Sequence, residues 1–191
     1  MVGQPSMTME MSAALDHGVD VVGRRIFLHG DVVSGNTSLA IRGMYLMADS
    51  SPDPITLFVA SYGGSIDEAF ALHDVTRTVP VPVHTVALGM CMSAAPFLVA
   101  CGQKGHRYAS ENCEFMLHTG SLEMEGSPSN VAGVAEAVRR RGERMDRLFA
   151  KYTSKPYRHW AKFSRACNDY FFTAETALEW GLIDCIWSEK D

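Results

Sequence analysis

The sequence predicts an α/β domain in which mostly parallel strands are joined by crossover helices. Two observations predict it. Apolar, β-rich runs alternate along the chain with segments whose apolar residues recur at helical spacing. A β-then-α order of this kind is what parallel strands with helical crossovers produce. The chain also has the size for one such domain. Its 191 residues, 47% hydrophobic and 20% charged, can bury a sizeable core, and no linker-like shift in composition or strict repeat divides it.

Residues 1–23 are Met-rich, carry Gly and Pro, and have no charged region followed by an apolar core. They read as a mobile arm or short propeptide, and residues 24–191 as the domain. IFLH after Arg25 reads as a buried strand stopped at Gly30. Ser38 to Ala48 has the apolar spacing of a helix, weakened by Gly43. Ile55 to Ala60 (ITLFVA) is a second strand and runs into SYGGS. Ser65 then opens a helix, because Ser65 and Glu68 have the spacing of a capping box. PVPVHTVALG is a third strand, with its prolines at the start, where a ladder donor is dispensable. GMCMSAAPFLVACG follows as a helix closed by Gly102. Glu114 to His118 (EFMLH) is a strand, and TGSLEMEGSPS a loop or short hairpin. Val131 to Tyr152 is a long helix carrying the basic segment RRRGERMDR. Pro156 to Ala166 reads as a further helix, Thr173 to Glu179 as a short one stopping at Gly181, and LIDCIW as the last strand.

Several function classes are disfavoured at once. A formal charge of −5 provides no overall basic field for nucleic acid. No apolar stretch approaches the ~20 residues of a membrane helix. The five cysteines are scattered, odd in number and without a CxxC pair, which favours reduced thiols in a cytoplasmic setting over a disulfide framework or a zinc site. No metal or cofactor is expected.

Three places could carry chemistry. Ser93 lies between a β-like run and Pro96, and proline is tolerated in a first helical turn. A serine there is either a helix cap or a nucleophile beside free backbone N–H groups. Gly63-Gly64, directly after a strand, is either an ordinary turn or a place where a backbone N–H can approach a carbonyl oxygen closely. His118 ends the apolar run FMLH at a strand edge, as a structural residue or as a base. His17, His106 and His159 fall in exposed contexts, and His29, His73 and His84 inside regular elements. Asp169, before an aromatic run, is the candidate third member, with Asp184 in GLIDC its rival as a turn or strand-start residue.

These segments together resemble the Clp protease proteolytic subunit, a serine peptidase, over roughly residues 24–187. IFLHGDV resembles the family's IFLxGxV opening, and SYGGSIDEAFALHD its SPGGxxxxGxxIYD segment. GMCMSAAPFLVACGQKGHRYA is similar to GQAASMGAxLLxAGxKGKRxx, FMLHTG to xMIHQP, and DYFFTAETALEWGLID to DRFLSAxEAxxYGLVD. The resemblance implies Ser93 as nucleophile, His118 as general base and Asp169 as the residue that orients it. It implies the backbone N–H groups of Gly64 and Ala94 as oxyanion donors. The implied fold is the ββα superhelix shared with crotonases. The implied assembly is a heptameric ring, often two rings face to face, that encloses the active sites and is fed unfolded polypeptide by an AAA+ unfoldase.

The chain departs from the family pattern at Tyr62, Pro96 and Asn168. It also departs in TGSLEMEGSPS, and near the start, where the usual DIYSRLL helix is not recognisable. Two other readings share most of these features: a catalytically silent ring subunit, and an acyl-CoA enzyme of the crotonase fold. A Ser-Lys peptidase would need Lys104 or Lys151, and neither sits in a recognisable Ser-Lys context.

Overall fold

Alternation of buried and exposed side chains starts the sheet. In the computed structural model, which describes residues 18–120, 127–165 and 168–187, Val19–Asp20 (β1) pairs antiparallel with Arg25–Val32 (β2). Ile26, Leu28 and Val32 of β2 are buried while Phe27 and His29 face outward. The strand does not stop at Gly30. The register shifts between His29 and Asp31 and pairing resumes to Val32. β1 falls in the stretch read from sequence as an arm, and residues 1–17 lie outside the described residues.

Ser34–Ser50 (α1) extends the expected helix at both ends. Its Gly43 has a reason. A Cβ there would stand 2.8 Å from Val19 Cγ1, so the missing side chain lets β1 cross the helix. Ile55–Gly64 (β3) continues the apolar run through Ser61, whose small side chain is fully buried. Ser65 then caps Ile66–Thr78 (α2), its Oγ accepting from the Glu68 N–H at 3.3 Å. Val83–Met92 (β4) follows, with Pro80 and Pro82 left outside the ladder. Ala95–Ala100 (α3) is one and a half turns long and buried at every residue. Its Phe97 packs against Phe70, His73 and Phe149.

The remaining elements are Arg107–Ser110 (β5), Glu114–Leu117 (β6), Pro128–Tyr152 (α4), Tyr157–Trp160 (α5), Tyr170–Thr173 (β7), Ala174–Glu179 (α6) and Cys185–Trp187 (β8). α5 is far shorter than the run expected from Pro156 to Ala166. β5 and β7 were not legible as strands. Most of TGSLEMEGSPS lies outside the described residues.

Among the described residues five of the seven strand pairings are parallel, as the β-then-α order requires. The exceptions are β1 on β2 and β6 on β7. The sheet forks at β4. Residues Thr85 to Ala87 pair with β5, which leads to β8, whereas Met90 to Met92 pair with β6, which leads to β7.

One ion pair ties the β5–β8 branch to the helices. Arg107 and Asp184 meet with Nη2 2.6 Å from Oδ1 and Nε 2.8 Å from Oδ2. The Arg107 Nη1 also donates to the carbonyls of Ala100 and Tyr152, at the ends of α3 and α4. The thiols of Cys91, Cys101 and Cys113 are free and buried, and burial pushes the latter two up to about 12. His159 is not exposed as expected but half-buried among Trp160, Phe163 and Trp180.

Candidate active site

Strand register brings the three candidate side chains together. Met92 pairs with Met116 in the parallel β4–β6 ladder, and the next residue, Ser93, donates its N–H to the Met116 carbonyl at 2.8 Å. Leu117 pairs with Tyr170 in the antiparallel β6–β7 ladder, so His118 and Asp169 are the next residues out on facing strands. The resulting row is short. Ser93 Oγ lies 2.8 Å from His118 Nε2, and His118 Nδ1 lies 3.5 Å from Asp169 Oδ1. With the ring proton on Nδ1, toward Asp169, Nε2 is left to accept from the Ser93 hydroxyl.

This geometry bears on the two readings of Ser93. The helix after it begins at Ala95, its N-cap is Ala94, and no side chain caps it. Ser93 itself has φ +58, a left-handed conformation uncommon for a residue with a side chain. Such strain persists only where surrounding structure enforces it. Gly63 is part of that surrounding. It has φ +96, and a Cβ on it would stand 2.5 Å from Ser93 Cβ and 2.6 Å from the Met92 carbonyl oxygen. The glycine pair therefore lies inside the end of a strand, not in a free turn.

Ser93, His118, Gly64 and Ala94 line one cavity of about 110 Å³. The Ala94 N–H, at the start of α3, has no intrahelical carbonyl to donate to. Met145, Phe149, Trp160 and Phe163 form apolar wall. Two polar side chains outside the Ser–His pair also line it, Asp146 and Ser164, joined by a 2.6 Å hydrogen bond from the serine. Burial pushes the Asp146 carboxyl up, against the opposing effects of the Ser164 hydrogen bond and the Arg165 charge.

Sequence reasoning missed Asp146. The signal was present: Gly142, Met145, Asp146 and Phe149 share one face of α4, and an acidic residue interrupts that stripe. The rival Asp184 is remote from this row, committed to Arg107 at the head of β8. Lys104 and Lys151 do not line the cavity. Among the described residues no group of three His, Cys, Asp or Glu could hold a metal ion, and no helix is long and apolar enough to cross a membrane.

The mostly parallel sheet defines an α/β protein, with a hydroxyl, an imidazole and a carboxylate in a row at its strand ends. Residues 16–190 match the family model of the Clp protease, and the chain belongs to that family. The class is thus that of a peptidase, on the Clp-type α/β fold.

Proposed function

We propose that this chain is a serine endopeptidase that cleaves unfolded or short polypeptides. Ser93 Oγ attacks the peptide carbonyl while His118 Nε2 takes its proton, forming a tetrahedral oxyanion. The N–H groups of Gly64 and Ala94 stabilise that oxyanion, where each donor is worth about 2.7–4 kcal/mol. His118 then protonates the leaving amine, and water repeats the sequence on the acyl-enzyme. Asp169 holds the imidazole's tautomer and orientation. The observation that carries the reading is the 2.8 Å Ser93–His118 contact.

The family supports a further reading, in which the subunits form a heptameric ring, often paired with a second ring. An AAA+ unfoldase feeds polypeptide to the enclosed sites in the cytoplasm. An outward aromatic row is in keeping with protein partners: Phe27 stacks on Phe58 at 5.0 Å, and Phe58 and Tyr108 both contact the exposed Trp187.

The test is fluorophosphonate labelling with the modified residue mapped by mass spectrometry and the same sample sized. Labelling at Ser93 in a ring-sized species is the expected result. A ring-sized species that does not label would instead indicate a silent subunit. A second expectation concerns Gly63. Gly63→Ala must push Ser93 aside, and a shift near 1 Å at a reacting atom costs roughly 10²-fold in rate. Phosphonylation of Ser93 by the fluorophosphonate, with loss of fluoride, should slow by about that factor, and an unchanged rate would show that Gly63 does not shape the site.

A further inference from the structure

Asp146 is anomalous for its surroundings. It is 5% exposed, and among the described residues lining the cavity it is the only carboxylate. Its neighbours there, Met145, Phe149, Trp160 and Phe163, are apolar. Ser164 donates to Oδ2, and the serine could be satisfied without it, since Ala161 offers a carbonyl at 3.3 Å. Among the described residues no Lys or Arg stands within ion-pair distance of Asp146. The charges that act on it from nearby are Arg165, which favours its ionised form, and Glu143, which opposes it and is itself paired with Arg139.

A buried carboxylate without a cationic partner is costly, and a cation brought in by a ligand removes that cost. The same cavity touches Ser93 and Ala94, so the side chain that fills it belongs to the residue whose carbonyl would be attacked. Apolar walls suit a methylene stem, and the carboxylate suits a charged tip. A purely aliphatic side chain would leave Asp146 sealed and unpaired, and an acidic one would face like charge.

We propose that Asp146 makes this cavity a specificity pocket for a lysine-like side chain, its stem against Phe149, Trp160 and Phe163 and its ammonium at the Asp146–Ser164 pair. The inference rests on the serine peptidase reading above. Cleavage then falls after lysine, in polypeptides that are otherwise unselected.

The test uses peptides identical except at that residue, which is lysine, norleucine or glutamate. Norleucine keeps the stem and lacks the charge. The full-length protein should favour lysine over norleucine in kcat/KM by roughly 10- to 100-fold, and glutamate should be the poorest. In Asp146→Asn the lysine-to-norleucine ratio should fall by at least tenfold, whereas Ser164→Ala, which keeps the charge, should still favour lysine. Equal or better hydrolysis of norleucine by the unaltered protein overturns the proposal without any variant having to fold. So does a ratio that Asp146→Asn leaves unchanged. In both cases Ser93 still labels with fluorophosphonate and the peptidase reading stands. Absence of hydrolysis of all three peptides together with absence of labelling overturns that reading and this proposal with it.

Discussion

Ser93→Ala is expected to lower kcat for peptide hydrolysis by about 10⁶-fold, the loss typical when a nucleophile of this kind is removed. The hydroxyl stands 2.8 Å from His118 Nε2, and no other side-chain hydroxyl among the described residues pairs with that imidazole. The effect should not add to that of His118→Ala. If the two act as one unit, the double variant is about as inactive as either single one. Activity of the double variant reduced by the product of the two losses would mean that they act separately. The fold should survive, since the Ser93 N–H bond to Met116 is made by the backbone. Ser93→Gly sharpens the test. At φ +58 glycine carries no Cβ penalty, so this variant should be inactive yet at least as stable as the parent. Calorimetry and a peptide assay on the same preparations check both halves.

Arg107→Ala carries the largest expected loss of stability. The Arg107 side chain is 2% exposed and that of Asp184 18%. Removing the arginine strands a partly buried carboxylate and frees two helix-end carbonyls. Breaking such a pair costs about 3–5 kcal/mol, which for a domain of this size is a fall of roughly 6–20 °C in Tm.

A pH signature accompanies the loss. Burial pushes the Asp184 carboxyl up, but hydrogen bonds and charge from Arg107, with the backbone N–H groups of Gly105 and Arg107, outweigh it and hold the group below the usual range. Its folded pKa is thus lower than its unfolded one. The stability it contributes is fully present above the unfolded value and disappears as pH falls through the folded value. Asp146, raised by burial, acts with the opposite sign: its contribution is present at low pH and is lost as pH rises through its folded value. Arg107→Ala should flatten the acid limb of a stability–pH curve measured by denaturant titration. An acid limb as steep as the parent's would remove Asp184 from the account.

Long, buried, mostly parallel strands were legible because β2, β3 and β4 carry their own apolar runs and need no partner to be recognised. β5 and β7 were not, being four residues each and strands only by virtue of what they pair with. α5 stopped early for a related reason. Its aromatic residues satisfy a helical pattern but are used in a cluster of Trp160, Phe163 and Trp180, where ring packing decides the backbone. At the site, local sequence could not separate a capping serine from a nucleophilic one, since both want the same residue at the same junction. The left-handed backbone at Ser93 and the neighbouring Gly63 bear on that choice, and neither is a local property. Asp146 went unread because its α4 segment looks merely charged until the fold turns that face inward.

The Arg107–Asp184 pair also bears on the order in which the chain can complete itself. Its members are 77 residues apart. At roughly 5–20 residues per second of synthesis, about 4–15 s separate the emergence of the two. Throughout that interval the nascent chain can form β2 to β4, but β5 carries a guanidinium that has no carboxylate to receive it. Burial of β5 is therefore expected to follow the arrival of Asp184, as is its pairing with β8. The row of Ser93, His118 and Asp169 also waits, because Asp169 is made well after β5. A polypeptide cut short before residue 184 thus keeps the Arg107 cation without its carboxylate partner. The chain would be marked as incomplete by its own electrostatics.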